Sequence, residues 1–201
     1  MHCTVYDSPV ARTLVRWFSL SSLKLLGWRV EGQIPDVPKC VMIAAPHTSN
    51  WDFVYTLYIC FALKMKVSIM AKKELFRFPF GPVFRWLGVI PVDRSRSSNM
   101  VDRMAQTFAE NETMILIVPP SGTRKKVMYW KSGFYHIARK AGVPIALGFL
   151  DYGRRAGGIG PMLIPTGNIE ADMRIIRSFY ADIRGKYPEK AIETPVIAAV
   201  P

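Results

Sequence analysis

From residue 41 onward the chain alternates between two hydrophobic rhythms. Short, nearly continuous apolar runs at residues 41–45, 67–71, 88–92, 114–118 and 143–150 have the length and composition of buried strands. Between them, residues 51–63, 99–110 and 132–141 repeat apolar positions at helical spacing, and a short aromatic helical segment runs through Phe84, Arg85 and Trp86. A strand–helix beat of this kind predicts an α/β fold, a single domain with a largely parallel sheet flanked by helices. After residue 150 the pattern weakens. Residues 153–160 read as a glycine-rich turn, residues 170–184 as one more helix, and residues 188–201 as a frayed tail.

The first 30 residues stand apart. Ser8 followed by Pro9 is a helix start, and Gly27 a helix stop. Between them Leu14, Trp17, Phe18 and further leucines are interspersed with Arg12, Arg16 and Lys24, which suits an amphipathic helix on a membrane surface and equally a helix packed on the domain core. The organisation expected is therefore an N-terminal helix over 1–30, a possible membrane-surface anchor, one catalytic domain over 31–187, and the tail.

Charge narrows the partners. The 201 residues carry a net charge of +12, and residues 41–150 hold 15 Lys and Arg against 6 Asp and Glu. An excess concentrated on the βα segment points to anionic ligands: phosphorylated small molecules, anionic headgroups or nucleic acid. No helix-turn-helix, RRM, KH or zinc-finger pattern accompanies it, which argues against nucleic acid. Three scattered cysteines without a CxxC pair and three histidines without an HExxH pattern argue against a disulfide framework and against a metal centre. The opening residues do not form a signal peptide and no apolar run reaches 18 residues, so the expected location is cytoplasmic, peripheral on the inner face of a membrane.

In parallel sheets, chemistry collects at the carboxyl ends of the strands. Three such ends are polar here. His47-Thr48-Ser49-Asn50-Trp51-Asp52 follows the first strand, with Ser49 or Asn50 as the helix cap and Asp52 in the first turn, where the helix dipole favours a negative charge. A carboxylate bonded to one imidazole nitrogen leaves the other to take a proton from a hydroxyl, so His47 and Asp52 form a candidate general-base pair. Arg94 follows the strand ending at Val92, and is suited to grip a phosphate. Gly122, Thr123 and Arg124 supply a close backbone approach, a hydroxyl and a guanidinium in three residues, a plausible anion cradle.

These blocks in this order, His-x4-Asp, then Gly-Val-Ile-Pro-Val-Asp-Arg over 88–94, then Gly-Thr-Arg over 122–124, then Gly-Val-Pro-Ile over 142–145, resemble the glycerolipid acyltransferase family, typified by 1-acylglycerol-3-phosphate acyltransferase. The resemblance spans roughly residues 30–150. It implies transfer of a fatty acyl group from acyl-CoA or acyl carrier protein, used as co-substrate with no other cofactor, to the hydroxyl of a glycerol-3-phosphate or lysophospholipid-type acceptor. It further implies that His47 is the general base, that Asp52 orients it, that Arg94, Gly122, Thr123 and Arg124 hold the acceptor phosphate, and that Val143 and Pro144 belong to a block linked to acyl-chain binding or catalysis. The third block departs from the family's Pro-Glu-Gly-Thr-Arg-Ser: Ser121 stands where the glutamate is usual and Lys125 where the serine is, so the substrate-binding corner is less negative and the acceptor's identity is left open. Acylation of another amphipathic alcohol or amine, such as a lyso-aminolipid, and non-catalytic binding of anionic lipid are the alternatives.

Overall fold

The computed structural model describes residues 4–92 and 99–192. Seven strands, β1 (Arg29–Glu31), β2 (Lys39–Ala45), β3 (Val67–Lys72), β4 (Val89–Val92), β5 (Met114–Val118), β6 (Ile145–Asp151) and β7 (Ala156–Leu163), form one sheet in the order β1-β7-β6-β2-β5-β3-β4. The neighbours from β6 to β4 pair in parallel, and β7 runs antiparallel to β6 with β1 parallel to β7. Among the described residues there are six α-helices: α2 (Trp51–Ala62), α3 (Gly81–Trp86), α4 (Met100–Glu110) and α5 (Gly133–Ala141) connect strands, α1 (Pro9–Leu25) precedes β1 and α6 (Ile169–Tyr180) follows β7.

Strand alternation divides the core. Val41, Ile43 and Ala45 of β2 face a cluster with Phe108 of α4, Phe134 and Ile137 of α5 and Ile176 of α6. Cys40 and Met42 face the opposite side, toward Leu57 and Phe61 of α2. Both faces of β2 are thus buried, which is why its sequence is a continuous apolar run and not an alternating one. Truncating Phe108 or Phe134, each about 1 % exposed, to alanine would cost about 3–5 kcal/mol.

The N-terminal helix begins as its sequence indicates, with the Ser8 hydroxyl accepting from the Ala11 amide at 3.3 Å. Its Ser19 and Leu23 are buried and it packs on α2, with Phe18 edge-on to Tyr58, while Val10, Leu14, Trp17 and Leu25 remain exposed. Strand β1 begins at Arg29, so the sheet starts before the boundary drawn at residue 30.

One expectation is corrected. Residues 153–160 are a turn only as far as Arg155; from Ala156 they form β7. Its glycines follow from close packing. A Cβ on Gly158 would sit 1.8 Å from the carbonyl oxygen of Glu31 in β1, and one on Gly160 2.3 Å from the Phe179 ring. Read without its neighbours, a glycine-rich strand looks like a loop.

Candidate active site

Strand β2 lies between β5 and β6, so the segments that follow these three strands meet at one edge of the sheet. Pro46, lacking an amide hydrogen, ends the β2 ladder after Ala45. The chain then turns through His47–Asn50 into α2. Thr48 and Ser49 are buried, and their amides need acceptors that a regular helix start does not provide. Asp52 supplies them: its Oδ2 accepts from the Thr48 amide at 2.7 Å and from the Ser49 amide at 2.8 Å. The Ser49 hydroxyl accepts from the Trp51 amide at 3.2 Å, while Asn50, at the cap position, makes no side-chain cap bond. Ser49 is committed to the helix start.

The same Asp52 Oδ2 lies 3.1 Å from His47 Nδ1. Its Oδ1 accepts from the Tyr152 hydroxyl at 2.8 Å. Four donors converge on a carboxylate that is 3 % exposed, which matches the roughly four lone-pair sites of an ionised carboxylate and compensates its desolvation. A carboxylate oxygen there accepts, so Nδ1 is assigned the hydrogen, the tautomer whose neutral ring presents its lone pair at Nε2. Burial, followed by the nearby Asp52 charge, raises the Tyr152 pKa far above its ordinary value, so its hydroxyl stays a donor.

Tyr152 directly follows β6, a fourth strand-end position that the pattern along the chain does not single out. A further brace comes from residues 184–187. The Tyr152 amide donates to the Arg184 carbonyl at 2.8 Å, the Tyr187 amide donates to the Thr48 hydroxyl at 3.2 Å, and a Cβ on Gly185 would lie 2.9 Å from Thr48 Cγ2. Lys186 Nζ rests 5.1 Å from the centre of the Trp51 ring.

His47 and Asp52 line a cavity of about 480 Å³ that runs between the sheet and α2. Asn50, Lys72, Thr123 and Arg124 line it near the strand ends and the start of α2; further along, past Thr56, the residues Ile59, Cys60, Leu63 and Met65 make the wall apolar. From Asp52 to Leu63 the helix advances about 16 Å. The cavity is therefore a polar mouth continued by a greasy channel.

Of the other residues singled out in the sequence, Gly122, Thr123 and Arg124 line the same cavity. Gly122 has φ +65°, a conformation glycine adopts without strain, and its amide donates to the Pro119 carbonyl at 3.0 Å. A Cβ there would lie 3.4 Å from the Lys131 side chain, which adds a cation to this corner. Ser121 is not in the cavity wall; its hydroxyl donates to the Thr123 carbonyl at 2.9 Å and shapes the turn. Val143 and Pro144 stand elsewhere. Val143 is buried in the core and the Pro144 carbonyl accepts from the Val41 amide, at the beginning of the strands. Ile145 and Phe149, the partner of Ala45, are four residue steps apart along β6, or about 13 Å. The pair is in the sheet's packing and not in the cavity. Arg94 lies outside the described residues. Lys72, at the end of β3, lines the cavity and went unnoticed in the sequence because it reads as part of a solvated Lys72-Lys73-Glu74 run.

A family model described as Acyltransferase matches residues 28–146. The chain belongs to this acyltransferase family. Among similar proteins, a 1-acyl-sn-glycerol-3-phosphate acyltransferase of Haemophilus influenzae is 30 % identical over 142 residues, 66 % of this chain and 57 % of that protein. One of the same description from Streptococcus pneumoniae is 36 % identical over 110 residues, 50 % of this chain and 40 % of that protein. The chain thus spans about half the length of the curated relatives it matches. Its fold is similar to the crystal structure of the 1-acyl-sn-glycerophosphate (LPA) acyltransferase PlsC from Thermotoga maritima, with TM-score 0.57 and 20 % identity, covering 87 % of this chain and 82 % of that one. The matched segment holds the strand-end loops after β2 and β5, whereas Tyr152 and the brace at 184–187 lie beyond it.

Proposed function

We propose that this chain is a peripheral acyltransferase that moves a fatty acyl group from acyl-CoA or acyl carrier protein to the hydroxyl of a glycerol-3-phosphate or lysophospholipid-type acceptor. One observation carries the reading: the His47 ring, held by a four-donor carboxylate, opens onto an apolar channel beside the cations Arg124 and Lys72. A base, an anion site and a greasy channel are what acyl transfer between an amphipathic alcohol and a thioester needs. That both similar proteins are 1-acyl-sn-glycerol-3-phosphate acyltransferases supports the choice of acceptor.

In the proposed step the acceptor hydroxyl lies against His47 Nε2. As its oxygen adds to the thioester carbonyl carbon, the proton passes to Nε2 and the imidazolium forms against Asp52. The carbon–sulfur bond then breaks, the thiolate takes the proton back from His47, and ester and free thiol leave. No acyl-enzyme forms, and Ser49 keeps its structural bond. Gly122, Thr123 and Arg124, together with Arg94, are assigned to the acceptor phosphate. The catalytic unit is residues 31–187, to which β1 adds an edge from Arg29.

The inner face of a membrane is the proposed site of work. Among the described residues no helix is long and apolar enough to cross a membrane. The exposed Leu14, Trp17 and Phe18 of α1 and the concentrated positive charge support surface attachment.

The test measures thiol release from acyl-CoA on adding 1-acylglycerol-3-phosphate, with product identified by mass spectrometry. Wild type is expected to release thiol in step with ester formation, and His47→Ala to lose on the order of 10²–10⁴-fold in rate. Full activity in a folded His47→Ala protein, or no ester with any hydroxyl acceptor, would sink the proposal.

A further inference from the structure

Between β3 and β4 the chain makes a compact aromatic projection, a 3-10 turn at Lys73–Phe76 followed by α3. Its inner side is firmly built. Phe84 packs edge-on to Phe53 of α2 with ring centres 5.8 Å apart, and Phe76 and Phe84 rings lie 6.0 Å apart. At Gly81 a Cβ would be 2.2 Å from the Phe76 carbonyl oxygen, so turn and helix are pressed together. Yet the outer side carries Phe78, 92 % exposed, and Phe80, 65 % exposed, with Val83 and Leu75 also open to solvent. A rigid element that turns two phenylalanine rings outward is not explained by core packing.

Two further observations identify what covers it. Residues 72–86 carry Lys72, Lys73, Arg77 and Arg85 against the single acid Glu74, and all five are exposed. Apolar rings fringed by cations match an anionic bilayer: the rings enter the acyl region and the cations stay among phosphates. The element also adjoins the cavity, because Lys72, Leu75 and Phe84 belong both to it and to the cavity wall. We propose that residues 75–83 are a bilayer-inserting wedge that seats the mouth of the cavity on an anionic membrane, so that lipid substrate passes between bilayer and channel without crossing water. This is a second membrane contact, separate in sequence from α1, and its role in delivery rests on the acyltransferase reading above.

The test is flotation of the full chain with phosphatidylcholine vesicles containing phosphatidylglycerol, comparing wild type with Phe78→Ser/Phe80→Ser and, as a reference for α1, with Trp17→Ser/Phe18→Ser. Neither Phe78 nor Phe80 lines the cavity. Losing the burial of one phenylalanine corresponds to a partition change of about tenfold or more. The Phe78→Ser/Phe80→Ser protein is expected to float at least tenfold less well, to keep its circular dichroism, and to keep its rate between a short-chain thioester and a monomeric, water-soluble lysolipid. The single variant Phe78→Ser, at the most exposed position, reads the same effect if the double variant misfolds. Undiminished flotation of the folded variant would overturn the wedge. So would a wild-type chain that does not float, or one that is a dimer split by the double variant with vesicle binding kept. Failure of the acyltransferase reading looks different: no thiol release by wild type on any acceptor, while flotation still reports on the wedge alone.

Discussion

The Tyr152 hydroxyl donates to Asp52 Oδ1 at 2.8 Å across 100 residues of sequence. It occupies the one carboxylate oxygen that the histidine loop does not use, because Oδ2 already serves Thr48, Ser49 and His47. The tyrosine is itself held, stacked edge-on against Trp28 with ring centres 4.9 Å apart and against Tyr55 at 5.7 Å. Removing its hydroxyl leaves the ring packing in place and takes one donor from Asp52.

Tyr152→Phe is therefore expected to keep the fold and lower kcat with little change in KM for either substrate. A hydrogen bond to a charged group is worth about 1.5–3 kcal/mol, so a fall of about tenfold or more follows if the full value is expressed at the histidine. Steady-state kinetics beside thermal melting check this, and a pure KM effect would mean that Tyr152 contacts substrate and does not position the base.

Arg124→Ala removes an exposed guanidinium at the cavity mouth and should leave stability within about 0.5 kcal/mol. For a phosphorylated acceptor the apparent KM is expected to rise about tenfold, the loss of one charge-assisted contact. An acceptor without phosphate should respond much less. Varying the acceptor at fixed thioester distinguishes the anion site from a role in holding the donor.

At the sheet edge, Gly158→Ala brings a methyl group 1.8 Å from the Glu31 carbonyl oxygen, a backbone atom with no rotamer to yield. Strand β1 must then separate from β7, with an expected loss of about 1–3 kcal/mol. Chemical denaturation measures it, and hydrogen exchange should show the amides of residues 29–31 losing protection first.

Alkaline pH should weaken the fold through two buried thiols. Burial pushes Cys40 and Cys60 up from 9.0 to about 12. Above pH 9 the unfolded chain releases both protons while the folded chain keeps them, so the unfolded state binds fewer protons and stability falls as pH rises from about 9 to about 12. Each thiol contributes a slope of up to about 1.4 kcal/mol per pH unit. Melting curves of Cys40→Ala and Cys60→Ala should start from lower stability at pH 7 and decline less steeply between pH 9 and 11. Equal slopes in wild type and variants would contradict the burial of these thiols.

The core of this fold was legible because burial on both faces of β2, β5 and β6 writes itself as uninterrupted apolar sequence. His47, Asp52, Gly122, Thr123 and Arg124 were legible for a related reason: they are polar residues set abruptly after such runs. β7 was not, since its identity depends on how near Glu31 and Phe179 approach, and a glycine does not announce its neighbours. Three-residue β1 is too short to show a period. Tyr152 and Gly185 act through distant contacts that no spacing encodes, and Val143 and Pro144 carry a family pattern that here falls in the packing of the strand starts.

The bracing of the histidine loop also sets an order of assembly. Asp52 is steadied by residue 152 and Thr48 by residue 187, partners 100 and 139 positions downstream. A nascent chain that has emerged only as far as residue 151 already contains His47, Asp52 and the Gly-Thr-Arg turn, yet neither brace. Its histidine then sits on a loop that Asp52 alone steadies, and the arrangement described above is complete only once residue 187 has been added.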